Sequence, residues 1–427
     1  MTKPLFRIIG FTFVIQIVIF ILGITNNIIL SRWLGVEMLG VLATIVVIIE
    51  IVFKVVNPGL DTSAIFFISN NRFPIKKFVG SYFFNLIAVF LAGVIIIILL
   101  IQGDIVAQLV RGINSELITA SLWSLIIYYF AFQAYEFGIK IPLGLQEFKK
   151  FNQIQVLKPA ILFILLSIFS NLLEVRLNLV LVIIGVSWII PAVIVWAKQI
   201  PFDIGFNKKI TIDSLGYGLK VMLGNLLQFL IYRSDILLIG FFISQTAVGW
   251  YYISVIIAEK LLYLTQATGT IFLPAASRSE EQYKKTPILS RTNLFVVIIA
   301  SIIIAALSPW LIPLLFSHEY VNSVLPLILL LPGIASLSVS KILSADFGAR
   351  GKPQYNMYVS MINFCLNITL NIILIPKLGI KGAAISSSIS YSIAAAIQCY
   401  LYKKITGIPV TELLFIRPDD FKSVLKI

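Results

Sequence analysis

Apolar runs of about twenty residues recur along this chain, and they limit its fold more than any other feature. They fall at roughly 8–30, 38–60, 78–101, 117–140, 154–173, 177–197, 216–243, 247–275, 289–316, 322–347, 354–375 and 380–402. A helix of about 20 residues crosses the hydrocarbon of a bilayer. The runs therefore predict an all-α integral membrane protein with about twelve transmembrane helices. The rest of the chain agrees. Of its 427 residues, 59% are hydrophobic and 12% charged, whereas soluble domains carry about 25% charged residues. The first run is too long for the core of a signal peptide and reads as the first spanning helix.

The formal net charge of +14 raises nucleic acid as a partner. A nucleic-acid binder gathers Lys and Arg on a polar surface, but here they fall between apolar runs, so no nucleic acid is expected. Cytoplasmic loops of membrane proteins attract such charge. With the amino terminus in the cytoplasm, 23 Lys and Arg lie in inner segments and 5 in outer turns (Arg32, Arg111, Arg176, Lys377, Lys381). Another 5 (Lys54, Lys220, Arg233, Lys260, Lys341) lie within the runs. This asymmetry predicts a multi-pass protein of the cytoplasmic membrane with both termini inside, and a miscount by one helix would destroy it. The longest outer turn is about Gln102–Glu116, too short for an extracellular domain. Residues 404–427 are too polar to span and are expected along the inner membrane surface. Cys365 and Cys399 each sit inside an apolar run, which argues against a disulfide framework or a metal site.

A weak internal repeat divides the runs. Gly40 and Glu50 recur as Gly249 and Glu259, while Gly144–Asn152 between the fourth and fifth runs parallels Gly348–Asn356 between the tenth and eleventh. These shifts predict two six-helix bundles, residues 1–200 and 201–403, with 404–427 as a cytoplasmic tail. An even number of helices gives both halves the same orientation, the parallel pseudo-repeat found in alternating-access transporters.

Three segments resemble a known group. Asp235–Tyr252 is similar to the turn between the seventh and eighth helices of polysaccharide-export flippases, and Ser31–Gly40 to their amino-terminal signature. Lys377–Ala384 matches their last helical turn. The chain thus resembles the polysaccharide and O-antigen (Wzx-like) flippases of the multidrug/oligosaccharidyl-lipid/polysaccharide (MOP) exporter superfamily, which also holds the lipid II flippases and the MATE antiporters. The resemblance implies a MATE/MOP-like pair of bundles that moves a polyprenyl-diphosphate-linked oligosaccharide from the inner to the outer leaflet for surface polysaccharide export. It implies a lipid-linked glycan and membrane lipids as partners, with a glycan polymerase and glycosyltransferases as candidate protein partners.

Moving a diphosphate and many hydroxyls through hydrocarbon calls for buried cations. At 1.5 Å per residue, Arg233, Glu259 and Lys260 fall near mid-bilayer, as does Glu50, while Lys54, Lys220 and Lys341 lie nearer the cytoplasmic face. A charge at the bilayer centre costs about 2.5–3.5 kcal/mol on insertion scales, so it normally faces a partner or a cavity. Arg233, Lys260, Lys54 and Lys341 are the candidate substrate-binding cations. Glu50, Asp235, Glu259 and Asp346 are the candidate carboxylates for coupling to a proton or sodium ion. Bland readings stand beside these. Glu50 and Lys54 are spaced for an i, i+4 pair on one helix, and Lys220 and Lys341 could snorkel to inner headgroups. Arg233 and Asp235, two residues apart, cannot meet on a helix, which directs Arg233 toward substrate or the other half. Asp61, beside Pro58-Gly59, reads as a structural cap or a headgroup-level residue. Trp250, Tyr251 and Tyr252 are candidates for stacking on sugars.

Two other readings stay open. A MATE-like antiporter for organic cations shares the architecture but favours an acidic cavity. An integral-membrane glycan polymerase or ligase would need acid/base groups, and the single histidine, His318, lies in a short outer turn. No phosphate-binding Gly-rich loop or hydrolase motif is present. The chain is read as a transporter rather than an enzyme, with no cofactor.

Overall fold

The computed structural model describes residues 3–110, 121–198, 205–263, 265, 285–418 and 420, with the backbone alone at 3–10, 13 and 198. Most of the eighth apolar run beyond Tyr263 lies outside the described residues, as do Arg111, Arg278, Lys284, Lys422 and Lys426. The helices, in order, are α1 (Lys3–Val56), α2 (Leu60–Ser69), α3 (Ile75–Gln102), α4 (Ile105–Leu109), α5 (Leu122–Gly144), α6 (Phe148–Leu172) and α7 (Leu177–Lys198). There follow α8 (Lys208–Phe242), α9 (Gln245–Lys260), α10 (Thr286–Leu315), α11 (Val324–Ala349), α12 (Gln354–Leu378), α13 (Ile380–Thr406) and the single turn α14 (Thr411–Leu414). A 3₁₀ turn, His318–Ser323, precedes α11.

Among the described residues, nine helices are long and apolar enough to cross a membrane. One of them, α1, holds two of the expected runs. Their separating turn shrinks to a break at Gly35, whose φ of 69° is open to glycine at little steric cost. The fourth and eighth runs lie on α5 and α9. Among the described residues, every apolar run therefore contributes to a helix. The structure lengthens several helices: α5 continues past Lys140 to Gly144, and α6 starts at Phe148, so Lys149 and Lys150 are helical rather than loop residues.

By their contacts the residues form two compact units, Met1–Leu226 and Leu227–Ile427. The boundary falls inside α8 because the first half of that helix packs on the first unit. Tyr217 stacks on Phe66 with ring centroids 4.4 Å apart, Thr211 donates to Asn85 at 3.2 Å, and Asp213 pairs with Arg72 at 3.5 Å.

In the first unit α1 packs along α6, and α5 against α7 and α2. The α1–α6 seam is polar at bilayer depth. Asn152 donates to the Thr12 hydroxyl at 2.7 Å, Gln16 to Gln155 at 3.3 Å, and Asn26 to the Pro159 carbonyl at 2.9 Å. Such interhelical hydrogen bonds fix which residues face each other where lipid supplies no hydrophobic drive. Asn57 accepts from the Leu60 amide at 2.9 Å at the start of α2 and donates to Asp61 at 3.0 Å, so the buried Asp61 orients the capping asparagine rather than acting as the cap itself.

In the second unit α11 packs most extensively on α13, with α12 and α10 flanking. Pro332 interrupts α11, and Ser388 of α13 answers the interruption. The Gly333 amide donates to the Ser388 hydroxyl at 3.2 Å, and that hydroxyl donates to the Leu329 carbonyl at 2.5 Å. One serine thus sits between the two ends of a single helical rung. Serines of neighbouring helices commonly re-satisfy backbone freed by proline in membranes. The approach requires glycine, since a Cβ on Gly333 would lie 2.5 Å from the Ser388 Cα. Nearby, Asn367 donates to Ser390 at 3.1 Å and Asn371 to Asn367 at 2.9 Å.

Candidate functional site

The second half of α8 and the whole of α9 carry the charges that stand out in the sequence. Counting back from the turn that joins them, Arg233 lies about 14 Å along α8 and Glu259 about 21 Å along α9, both deep within a bilayer. They meet. Arg233 Nη1 donates to Glu259 Oε1 at 2.8 Å and Nη2 to Oε2 at 3.0 Å, a parallel two-bond fork. Each side chain is 27% exposed, so the pair is neither in open water nor sealed away. Arg233 Nη1 also donates to the Tyr232 carbonyl at 3.1 Å. This partner differs from the expectation of substrate or the other half. Separation by 26 residues hid it from any reading along one helix.

Asp235, two residues on, faces elsewhere and is buried. Its Oδ2 accepts from the Tyr251 hydroxyl at 2.5 Å and its Oδ1 from the Ile236 amide at 2.8 Å. Tyr251 is therefore a fully buried partner of a carboxylate, which corrects its reading as a sugar-stacking surface. Trp250 has its indole N–H committed to the Glu319 carbonyl at 2.8 Å. Tyr232, Asp235, Tyr251, Glu259, Leu330 and Tyr391 line a cleft with room for about one water molecule. Tyr391 donates to the Ile231 carbonyl at 3.3 Å and meets the Tyr232 ring edge-on at 6.0 Å. The ammonium of Lys341 lies 5.8 Å from the centroid of the Tyr232 ring, where the π face attracts a cation.

Four of the eight selected residues, Arg233, Asp235, Glu259 and Lys341, are thus gathered around Tyr232. Lys260 turns from Glu259 toward Tyr263, its ammonium 5.0 Å from that ring. Asp346 belongs to a different cluster: it is fully buried, pairs with Arg350, and accepts from the Thr286 hydroxyl at 2.5 Å. Glu50 and Lys54 lie in the first unit, both half-buried, with the Lys54 ammonium 5.4 Å from the Phe53 ring.

Three features escaped the sequence reading. Tyr391 was hidden in a serine-rich run. Glu136 and Lys140 form an ion pair of 3.3 Å at i, i+4 inside α5, which the expected end of that helix at residue 140 obscured. Lys158, counted with the inner charges although it falls in the fifth run, lies about 15 Å into α6, its ammonium 3.4 Å from the Trp188 ring centroid.

A sequence profile of the lipid II flippase MurJ family matches residues 69–417. An uncharacterised membrane protein of Methanocaldococcus jannaschii is 25% identical over 323 residues, 71% of this chain and 62% of its own length. The probable low-salt glycan biosynthesis flippase Agl15 of Haloferax volcanii is 25% identical over 180 residues, 41% of this chain and 38% of its own. The chain thus spans less than two thirds of these relatives. Among solved structures, lipid II flippase MurJ in an inward closed conformation superposes with a TM-score of 0.75 at 16% identity, covering 97% of this chain and 92% of that one. An inward-facing MATE transporter of the MOP superfamily gives 0.74 at 16% identity, covering 92% and 94%. At such identities the structures establish the fold: all-α, multi-spanning and of MATE/MOP type. The family match corrects the expected kinship with O-antigen flippases, because that expectation rested on three short segments, whereas the profile runs through most of the chain. The chain is a multi-spanning membrane protein and belongs to the lipid II flippase MurJ family.

Proposed function

We propose that this protein carries a polyprenyl-diphosphate-linked glycan from the inner to the outer leaflet by alternating access, with both termini in the cytoplasm. The observation that carries this reading is the forked Arg233–Glu259 pair at bilayer depth. A guanidinium that already holds a carboxylate through two parallel bonds has the geometry that binds a phosphoryl group. Incoming diphosphate takes Glu259's place on Arg233, and Lys341 and Lys260 add charge on either side. Lys54 is the corresponding cation of the first unit. Release of the headgroup lets Glu259 return, so Arg233 is never left as an isolated charge in lipid.

The same reading assigns ion coupling. Arg350 and Thr286 hold Asp346, and Arg233 holds Glu259. Asp235 is bonded by the neutral Tyr251 hydroxyl and a backbone amide, and it is the carboxylate suited to exchange a proton or sodium ion. Glu50 remains a second candidate. The family's name and the Haloferax relative both support a lipid-linked glycan as cargo.

The test is genetic and biochemical. In cells producing Arg233→Ala at normal membrane levels, lipid-linked glycan should accumulate on the cytoplasmic leaflet. Glycan that still reaches the outer leaflet at the wild-type rate removes Arg233 from the site. Glycan that arrives there but stays unpolymerised would favour a polymerase.

A further inference from the structure

Beyond the membrane-spanning helices, the chain leaves α13 through Gly407 (φ 76°), forms the turn α14, and reaches Asp420. This segment is built into the second unit. Leu413 is fully buried against Val339, Leu343 and Phe347 of α11 and Cys399 and Tyr402 of α13. Two carboxylates of the segment grip one buried arginine of α10. Arg291 Nε and Nη2 donate to Asp420 at 2.6 and 2.5 Å, and Nη1 donates to the Glu412 carboxylate at 3.0 Å and to its carbonyl at 3.1 Å. Arg417 bonds back to Glu412, and its amide donates to Asp420 at 2.6 Å. Arg291 is only five residues into α10, about 8 Å along its axis, which sets the segment level with the helix ends.

The opposite face of the segment is unlike the inner one. Phe415 is 67% and Leu414 36% exposed, and the last turn of α13 and the segment carry the exposed Lys403 and Lys404 and the half-exposed Arg417. Aromatic and aliphatic side chains next to basic ones, level with helix ends, have the composition that settles at the interface of an anionic leaflet. An apolar pair on a cytosolic surface would have no such reason to stand beside three cations.

We propose that residues 408–418, together with Asp420, are a lipid-anchoring strap. The Arg291–Asp420–Glu412 lock fixes its inner face, so that Leu414 and Phe415 enter the headgroup layer of anionic phospholipid while Lys403, Lys404 and Arg417 meet the phosphates. The strap ties the ends of α10, α11 and α13 to the membrane surface. The cytoplasmic placement rests on the topology proposed above, but the glycan plays no part in the contact.

The test places a nitroxide at Phe415→Cys in the full chain carrying Cys365→Ser, with the buried Cys399 retained. The protein is put into nanodiscs of phosphatidylcholine, with or without one part in about three of phosphatidylglycerol, the charge that draws basic segments. With phosphatidylglycerol, collisions with oxygen should dominate those with an aqueous nickel chelate. Lys403→Gln with Lys404→Gln should shift the ratio toward water roughly thirtyfold, at about 1 kcal/mol per lysine. Nickel-dominated collisions in both compositions would overturn the anchor. Asp420→Asn should free the label and sharpen its spectrum, whereas an unchanged spectrum would overturn the lock. None of these readouts involves the glycan, so failure here is distinct from failure of the translocation reading.

Discussion

Arg233 shows what a single residue can and cannot reveal from its position. Its place in an apolar run marks it as a charge that needs a partner, but the partner sits on the next helix, and only the folded chain brings Glu259 to 2.8 Å. The same limit hid Tyr251 behind Asp235. By contrast, the Glu136–Lys140 spacing was legible and was lost to a helix end set four residues early. Arg233→Lys keeps the charge and removes the fork. It should slow translocation by about tenfold, near 1.4 kcal/mol, while leaving the protein inserted; a rate equal to wild type would mean that charge alone suffices. In the strap, the hydrogen bond from Arg291 holds the Asp420 carboxyl below its ordinary value of 3.8. A depressed carboxylate contributes stability above its unfolded pKa and loses it as pH falls through the folded one. Strap docking, read as protection of the Cys399 thiol from a maleimide after brief acid exposure, should therefore persist through pH 5 and fail only below the usual carboxylate range. Loss between about pH 7 and 5 would contradict the lock.

At the scale of elements, the apolar runs located the spanning helices among the described residues but not their ends. Long polar stems such as Lys149, Lys150 and Lys158 look like loop residues on a hydropathy scale, yet a helix can carry them where a ring or headgroup is near. Lys158 on Trp188 is the plain case. The start of α8 was misjudged for a related reason: its first turns are polar because they pack on the first unit through Tyr217, Thr211 and Asp213. The Pro332 interruption in α11 was visible as a proline, but nothing in the sequence pointed to Ser388 as its remedy. Ser388→Ala should lower stability by about 1 kcal/mol. Gly333→Ala should cost about 1–3 kcal/mol, because its new methyl meets backbone rather than a movable side chain. Gly224→Ala, with nothing within 4 Å of the added methyl, should be neutral or slightly stabilising. Thermal unfolding of the three variants in one detergent checks the ranking, and an equal shift for Gly333 and Gly224 would refute the close approach.

For the whole molecule, the fold was the most legible property, because the distribution of Lys and Arg constrains the number of crossings as well as their direction. Kinship was less so. Three short segments near helical turns led to the wrong branch, and the match over residues 69–417 replaced it. The central claim is that this member moves a diphosphate-linked glycan across the bilayer through an intramembrane arginine. The direct measurement is reconstitution. Purified protein is put into liposomes holding a fluorescent polyprenyl-diphosphate glycan in both leaflets, and a membrane-impermeant quencher is added outside. With the wild-type protein the inner pool should become quenchable, and with equally incorporated Arg233→Ala it should stay protected. An inner pool as protected with the wild-type protein as in protein-free liposomes would contradict the account.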